Sequence, residues 1–318
     1  MISQASKILR AGGIVAFPTE TVYGLGADAT NPHAVAKIFD AKGRPATNPL
    51  IVHVADIDRA KRYAAVWPST AQQLAEKFWP GPISLVVHKS PAIAENVTAG
   101  KNTVGLRMPD HPMALQLLRE FDGPVAAPSA NRSNRISPTT ADHVRQELGD
   151  KVDLILNGGP CRVGIESTVL DLSGDTPTIL RPGGISQQQI EAIIGPVKVF
   201  TGALAHSVAA VSPGQSAVHY SPITPAFRFE SASEIQLYLR DKLNSQYGCI
   251  FICGKTETVE DSNVFILAND PADYAQQFYA SLRALDRLEL KSILIEMPPA
   301  TREWEAVRDR IGRATKAV

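Results

Sequence analysis

Along the first 200 residues, short apolar runs alternate with stretches whose apolar residues recur every three or four positions. GIVAF (13–17), PLIVHV (49–54), ISLVV (83–87), TVGLRM (103–108), PVAAP (124–128), LIL (154–156), STVLDL (167–172) and TIL (178–180) are brief, β-branched and bounded by Gly, Pro or Asp, and read as strands. Residues 33–41, 70–78, 113–120 and 140–148 carry the helical spacing, as does the N-terminus through Ile2, Ala5, Ile8 and Leu9. This alternation predicts an α/β domain on a mixed, largely covered sheet. Residues 201–225 change character, rich in Ala, Ser and Pro with almost no charge, and read as a linker. Beyond it GCIFICG, NVFIL and SILIEM read as strands, and ADYAQQFYASLRALDRL and REWEAVRDRIGRA as amphipathic helices. The expected organisation is a domain at 1–200, a linker at 201–225 and a small βαβ-type domain at 226–318.

Composition narrows the class. The 318 residues are 44% hydrophobic and 20% charged, which excludes a mostly disordered chain. Lys plus Arg equals Asp plus Glu at 32 each, so no global field draws the molecule to nucleic acid or to a membrane, and any basic site is local. Cys161, Cys249 and Cys253 form neither a disulfide framework nor a CxxC zinc site. With no signal-like segment and no apolar run near the roughly 20 residues that span a bilayer, a reducing, cytoplasmic setting without membrane contact is expected.

Several polar groups interrupt the apolar pattern. KGR (42–44) follows a helical segment. Gly43 suits the left-handed residue after a helix and Lys42 the helix dipole, but Arg44 lies beyond the cap, where dipole compensation no longer asks for charge. The motif is therefore a helix end, a phosphate site, or both. In PLIVHV, period two puts Ile51 and His53 on one face and Leu50, Val52 and Val54 on the other. In TVGLR it puts Thr103, Gly105 and Arg107 together, either as a ligand-facing row or as an edge strand with a surface arginine. FPTETVYGLGADA (17–29) sets Thr19, Glu20 and Thr21 after a strand, with Gly24 and Gly26 allowing close backbone approach or simply forming a turn. Ala29 stands where the dinucleotide fingerprint needs its third glycine. APSANRSNRISP (127–138) crowds Ser129, Asn131 and Ser137 with two arginines into a loop that is either solvated or phosphate-binding. GCIFICGKT (248–256) mimics a P-loop, but its spacing is wrong and its spacer is strand.

Together these blocks resemble the YrdC family. KGR with SAN (129–131) looks like its KxR…SxN signature, and FPTETVYGLGADA, NPLIVH, FWPGPISLVV, VGLRMPDHP, APSAN, GIESTVLD and ILRPG resemble its blocks in order, over residues 5–195. SPGQSAVHYSP (212–222) and WEAVRDRIGRA resemble the linker and C-terminal domain of the long, two-domain form. At 216–218 this chain has Ser, Ala and Val where some relatives carry lysine, tyrosine and arginine.

The resemblance implies a YrdC-like twisted mixed sheet with a deep basic cavity, plus a small Rossmann-like C-terminal domain. The activity it implies is synthesis of L-threonylcarbamoyladenylate from L-threonine, bicarbonate and ATP, with Mg²⁺ accompanying ATP. The product would pass to threonylcarbamoyl transferase proteins, so that tRNA is met indirectly. By resemblance Lys42, Arg44, Asn48, Thr103, Ser129, Asn131, Ser137, Arg181 and Tyr220 would hold ATP, with Lys42 and Arg44 serving the chemistry. Thr21, His53, Arg107, Ala127 through its backbone, and Ser167 would hold threonine. His219 would join Tyr220 in a linker lid. The rival from another class is a double-stranded RNA-binding module, which zero net charge and polar loops without interleaved aromatics disfavour.

Overall fold

A computed structural model describes residues 1–200, 219–231, 234, 246–254 and 263–318. It divides into two compact units, one made of 1–133, 137–162 and 166–217 and the other of 134–136, 163–165 and 218–318. Of the expected linker at 201–225, residues 201–218, including the variant triplet at 216–218, lie outside the described residues.

The first unit is mixed α/β. Its strands are β1 (Val15–Phe17), β2 (Gly24–Asp28), β3 (Ile51–His53), β4 (Ile83–His88), β5 (Thr103–Arg107), β6 (Val125–Ala126), β7 (Leu154–Ile155), β8 (Thr168–Asp171), β9 (Thr178–Arg181) and β10 (Lys198–Val199). They join in the order β10-β9-β8-β4-β5-β3-β6-β2-β1-β7, with parallel and antiparallel pairs in one large mixed sheet. The helices are α1 (Ile2–Arg10), α2 (Pro32–Lys42), α3 (Ile57–Tyr63), α4 (Ser69–Phe78), α5 (Pro112–Phe121), α6 (Ala141–Leu148) and α7 (Gln187–Ile194).

Every strand read from the apolar runs is present, and β2 corrects one reading. The GLGAD segment is not a bare turn. It pairs antiparallel with β1 and β6, where a Cβ on Gly26 would sit 2.7 Å from Val125 and 2.8 Å from Phe17. Glycines suppressed its strand signal, yet the crowding of neighbouring side chains is what requires them. TVGLR is likewise no edge strand. It lies between β4 and β3, and Arg107 is 4% exposed.

The two sheet faces are covered differently. Leu50, Val52, Val54, Leu85, Val104 and Leu106 point to the larger core, where α2, α4 and α6 supply Ile38, Leu74 and Val144. Fully burying each such side chain contributes about 1.5–3 kcal/mol. On the opposite face α1 and α5 cover β1 and β6 through Leu9, Leu117, Phe17 and Val125. Among the described residues, the middle of that face carries the small cluster Ile51, Val86, Val169 and Leu180. Alternation therefore leaves His53, Thr103, Arg107 and Ser84 on a face where polar side chains take the place of a helix.

The second unit has a five-stranded parallel sheet of β11 (Ala226–Phe229), β12 (Tyr247–Ile252), β13 (Val264–Leu267), β14 (Ser292–Glu296) and β15 (Lys316–Ala317), in the order β13-β12-β14-β11-β15. Helices α8 (Pro271–Asp286) and α9 (Glu305–Ala314) accompany it. Within the false P-loop, Gly248 lies inside β12 against Leu285 and Leu290, so the segment up to residue 252 is core strand.

Candidate active site

Lys42 and Arg44 come first because the sequence leaves their role open. Asn31 caps α2, its side chain accepting from the His33 and Ala34 N–H groups, Pro32 starts the helix, and Gly43 ends it at φ +60°. The helix-end half of the reading holds. Yet Lys42 is 3% exposed, and its ammonium donates to the carbonyls of Ser129, at 2.5 Å, and Asn131. Burial, and after it the charge of Arg44, pulls its pKa well below the ordinary lysine value, while Glu147 acts the other way. Arg44 is buried beside it and donates to the Pro49 carbonyl at 3.1 Å. KGR and SAN, 87 residues apart, thus form one cluster. The Asn131 side chain also donates to the Arg132 carbonyl.

A second cluster surrounds Arg107. Its Nη2 donates to Glu20 Oε1 at 2.7 Å and to Thr21 Oγ1 at 2.9 Å, and the other Glu20 oxygen accepts from the Asp110 N–H at 3.0 Å. Thr19 locks this turn by donating to the Val22 carbonyl and accepting from the N–H groups of Thr21 and Val22. His53 faces Arg107 across the parallel β3–β5 register and packs edge-on against Phe17 at 5.9 Å. Burial, then the Arg107 charge, lowers its pKa to about 3, with the Ile51 and Val125 carbonyls pulling the other way, so the imidazole is neutral. Two buried polar atoms here, His53 Nδ1 and Arg107 Nε, have no hydrogen-bond partner. Ala127 is adjacent, but its N–H already serves the Ile51 carbonyl, which leaves only its carbonyl for a ligand.

A third cluster joins β4, β8 and β9. Arg181 donates to the Ser167 carbonyl at 3.1 and 2.9 Å and to Ser167 Oγ at 3.2 Å, and Ser167 Oγ lies 2.9 Å from Ser84 Oγ. Gly183 makes this approach possible, since a Cβ there would come within 2.3–2.6 Å of the backbone of residues 166–168. Ser137 is fully buried and donates to Glu166. Thr103, partly exposed at the start of β5, and Asn48, in the loop before β3, stand outside these clusters.

Tyr220 belongs to the second unit. At φ +62° and 1% exposed, it packs with its ring 5.8 Å from Tyr279 and the Arg310 guanidinium 5.2 Å from its centre, with His219 edge-on at 4.1 Å. Three residues outside the expected set emerge as partners. Glu20 orients Arg107, Ser84 meets Ser167, and Glu166 accepts from Ser137. Each had a faint signal, an acid between two threonines, a hydroxyl in an apolar strand, and an acid ahead of STVLD.

Among the described residues, no group of three or more His, Cys, Asp or Glu side chains is placed to hold a metal ion. What the face offers is fixed cations, hydroxyls and unspent donors, a surface suited to anions and to the polar groups of a small substrate.

Comparison with known proteins finds similarity over the whole length. Residues 7–183 match the Sua5/YciO/YrdC family model, described as telomere recombination, and residues 185–316 match the threonylcarbamoyl-AMP synthase C-terminal domain. The chain is 42% identical to the threonylcarbamoyl-AMP synthase of Bacillus subtilis, over 98% of this chain and 92% of that protein. It is 38% identical to the synthase of Pyrococcus abyssi, over 98% and 93%. The crystal structure of P. abyssi Sua5 complexed with L-threonine superposes with a TM-score of 0.91 at 36% identity, covering all of this chain and 96% of that one.

Proposed function

Because the chain belongs to the Sua5/YciO/YrdC family, in the two-domain form, we infer that it is an L-threonylcarbamoyladenylate synthase. It joins L-threonine, bicarbonate and ATP into threonylcarbamoyl-AMP with release of pyrophosphate and water. The observation that carries this reading is whole-length similarity, 38–42% identity to curated synthases across both domains.

The chemistry asks for what the sheet face offers. A threonine carbamate decomposes readily in water, so it has to be held and adenylated in place. The carbamate oxygen attacks the α-phosphorus, a new P–O bond forms, and the bond to the β-phosphate oxygen breaks as pyrophosphate leaves. Anion meets anion in that step, and fixed cations lower its barrier. We assign Lys42 and Arg44 to the phosphates, with Asn48, Thr103, Ser129, Asn131, Ser137 and Arg181 completing the ATP site. Lys42 is a point charge, while Arg44 presents a planar fork. An arriving phosphate adds counter-charge beside Lys42 and raises its pKa again. Thr21, His53, Arg107, the Ala127 carbonyl and Ser167 take L-threonine, with Arg107 toward the carboxylate. His53 is too weak a base to strip the threonine ammonium, so its neutral imidazole orients the substrate and does not deprotonate it.

Mg²⁺ suits this site as a companion of the triphosphate, where it neutralises the leaving group. Phosphate oxygens and water would carry most of its coordination. The deep basic cavity, the Rossmann-like character of the second unit, a lid role for His219 and Tyr220, hand-over to a transferase acting on tRNA, and a cytoplasmic setting complete the proposal. No helix among the described residues is long and apolar enough to cross a membrane.

The test is pyrophosphate release from ATP with Mg²⁺, with and without L-threonine and bicarbonate, followed by mass spectrometry of the adenylate. Release that needs both co-substrates and yields threonylcarbamoyl-AMP is expected. Release with neither would make the protein a plain ATP pyrophosphohydrolase, and no release would bring duplex-RNA binding forward.

A further inference from the structure

Glu20 is a buried carboxylate that the reaction as derived does not use. Its side chain is 1% exposed and that of Arg107 5%. Both oxygens are committed, one to the guanidinium and one to the Asp110 N–H, so the carboxylate cannot rotate and the arm of Arg107 is fixed in turn. Nη2 is shared between Glu20 and Thr21, while Nε, buried and without a partner, is a donor still to be used.

The charges in direct contact with Arg107 sum to zero. Arg107 is balanced by Glu20, and His53, its register neighbour, is neutral. The Cys161 thiol stays protonated, its pKa pushed up to about 12 by burial and then by the Glu20 charge. Asp110 is occupied at the rim by Arg162, 2.5 Å away. A buried lone arginine would attract any small carboxylate, whereas a buried arginine already carrying its counter-ion accepts most readily a ligand that brings no net charge.

We propose that Glu20 is a positioning and selectivity residue of the amino-acid site, aiming Arg107 and keeping the pocket electroneutral so that it takes a zwitterionic α-amino acid in preference to a simple hydroxycarboxylate anion. The inference rests on the assignment of L-threonine to Arg107. Loss of the zwitterion's own advantage is the signature that separates selectivity from mere support of the fold.

The experiment measures KM for L-threonine, KM for ATP and inhibition by 3-hydroxybutyrate, which offers a carboxylate and a hydroxyl without an ammonium, in the full-length wild type, Glu20→Gln and Glu20→Asp, with thermal melts alongside. Glu20→Gln is expected to raise KM for threonine about 10-fold or more and to tighten 3-hydroxybutyrate relative to threonine, with KM for ATP within about twofold; these sizes follow from losing a charge-assisted bond. Glu20→Asp keeps the charge and should restore the preference for the zwitterion even where affinity stays reduced. An unchanged ratio of the two ligands in Glu20→Gln, or equal loss toward threonine and ATP, overturns the inference. Should Glu20→Gln not fold, a Glu20→Asp variant that prefers the anion overturns it equally. Arg107→Met checks the underlying assignment: if KM for threonine survives that change, the amino-acid site itself lies elsewhere.

Discussion

Lys42 and Arg107, two of the buried cations of the first unit, are held by different kinds of partner. Lys42 is held by the carbonyls of Ser129 and Asn131, which lend partial charge only. Arg107 is held by the full charge of Glu20. Carbonyls fix the position of an ammonium without cancelling it, so burial still weighs on Lys42 and an arriving anion relieves that cost. A carboxylate cancels the charge and leaves a directional donor. The lesson is that burial alone does not mark a phosphate site. The partner decides whether a buried cation attracts anions or orients a neutral molecule.

The sharpest way to break this contrast is to remove each cation and compare what is left behind. Arg107→Met strands Glu20 in the interior and is expected to cost about 3–5 kcal/mol of stability, as for other broken buried pairs. Much of that returns in the double variant with Glu20→Gln, and urea denaturation of the set measures it. Lys42→Met strands only two carbonyls, so its stability cost should be about 1–3 kcal/mol. Its larger effect falls on turnover, where pyrophosphate release at saturating ATP should drop about 10²–10³-fold, the size seen when one preorganised electrostatic donor is removed. If Lys42→Met keeps full turnover, or destabilises as much as Arg107→Met, the two groups are not different in kind.

How much of this was legible in the sequence depends on the range of the interaction. Local periodicity placed His53 with Ile51 on one face of its strand, placed Thr103 with Arg107 on one face of theirs, and ended α2 at Gly43, because each is a property of neighbouring residues, whereas the meeting of His53 with Arg107 comes from the β3–β5 register. The joining of KGR to SAN came from resemblance, since no local rule pairs residues 87 apart. What stayed hidden is the balancing of charge. Glu20 was visible as an acid in a turn, but its pairing with Arg107 depends on β5 lying inside the sheet and not at its edge, a fact of topology. Strand β2 was masked for a related reason, its glycines answering to the bulk of Phe17 and Val125 across the sheet.

His53 gives a pH test of the neutral pocket. Its folded pKa of about 3 lies below the ordinary histidine value of about 6.5, so between those limits the unfolded chain binds a proton that the folded one refuses. Stability contributed by the neutral ring is therefore complete above the upper value and lost as pH falls toward the lower one. Between pH 7 and pH 4 the loss attributable to this residue is on the order of 3 kcal/mol. His53→Gln should flatten the slope of stability against pH by that amount, because glutamine does not titrate. A slope unchanged in the variant would mean that the ring is already charged or already exposed in the folded protein, and the electroneutral account of the Arg107 cluster would go with it.

The smallest effect is expected at Arg181. Its guanidinium donates to the Ser167 carbonyl and also to Ser167 Oγ at 3.2 Å. Ser84 approaches the same oxygen at 2.9 Å, and both serines are fully buried. An arginine can only donate, so Ser167 Oγ accepts from it. If Ser84 donates as well, the Ser167 proton is left to point at a ligand. Ser84→Ala then costs about 1 kcal/mol of stability and lets the Ser167 hydroxyl turn, raising KM for threonine a few-fold while KM for ATP hardly moves. An equal rise in both constants would show instead that the serine pair supports the placement of Arg181, which then depends on this hydroxyl for its aim.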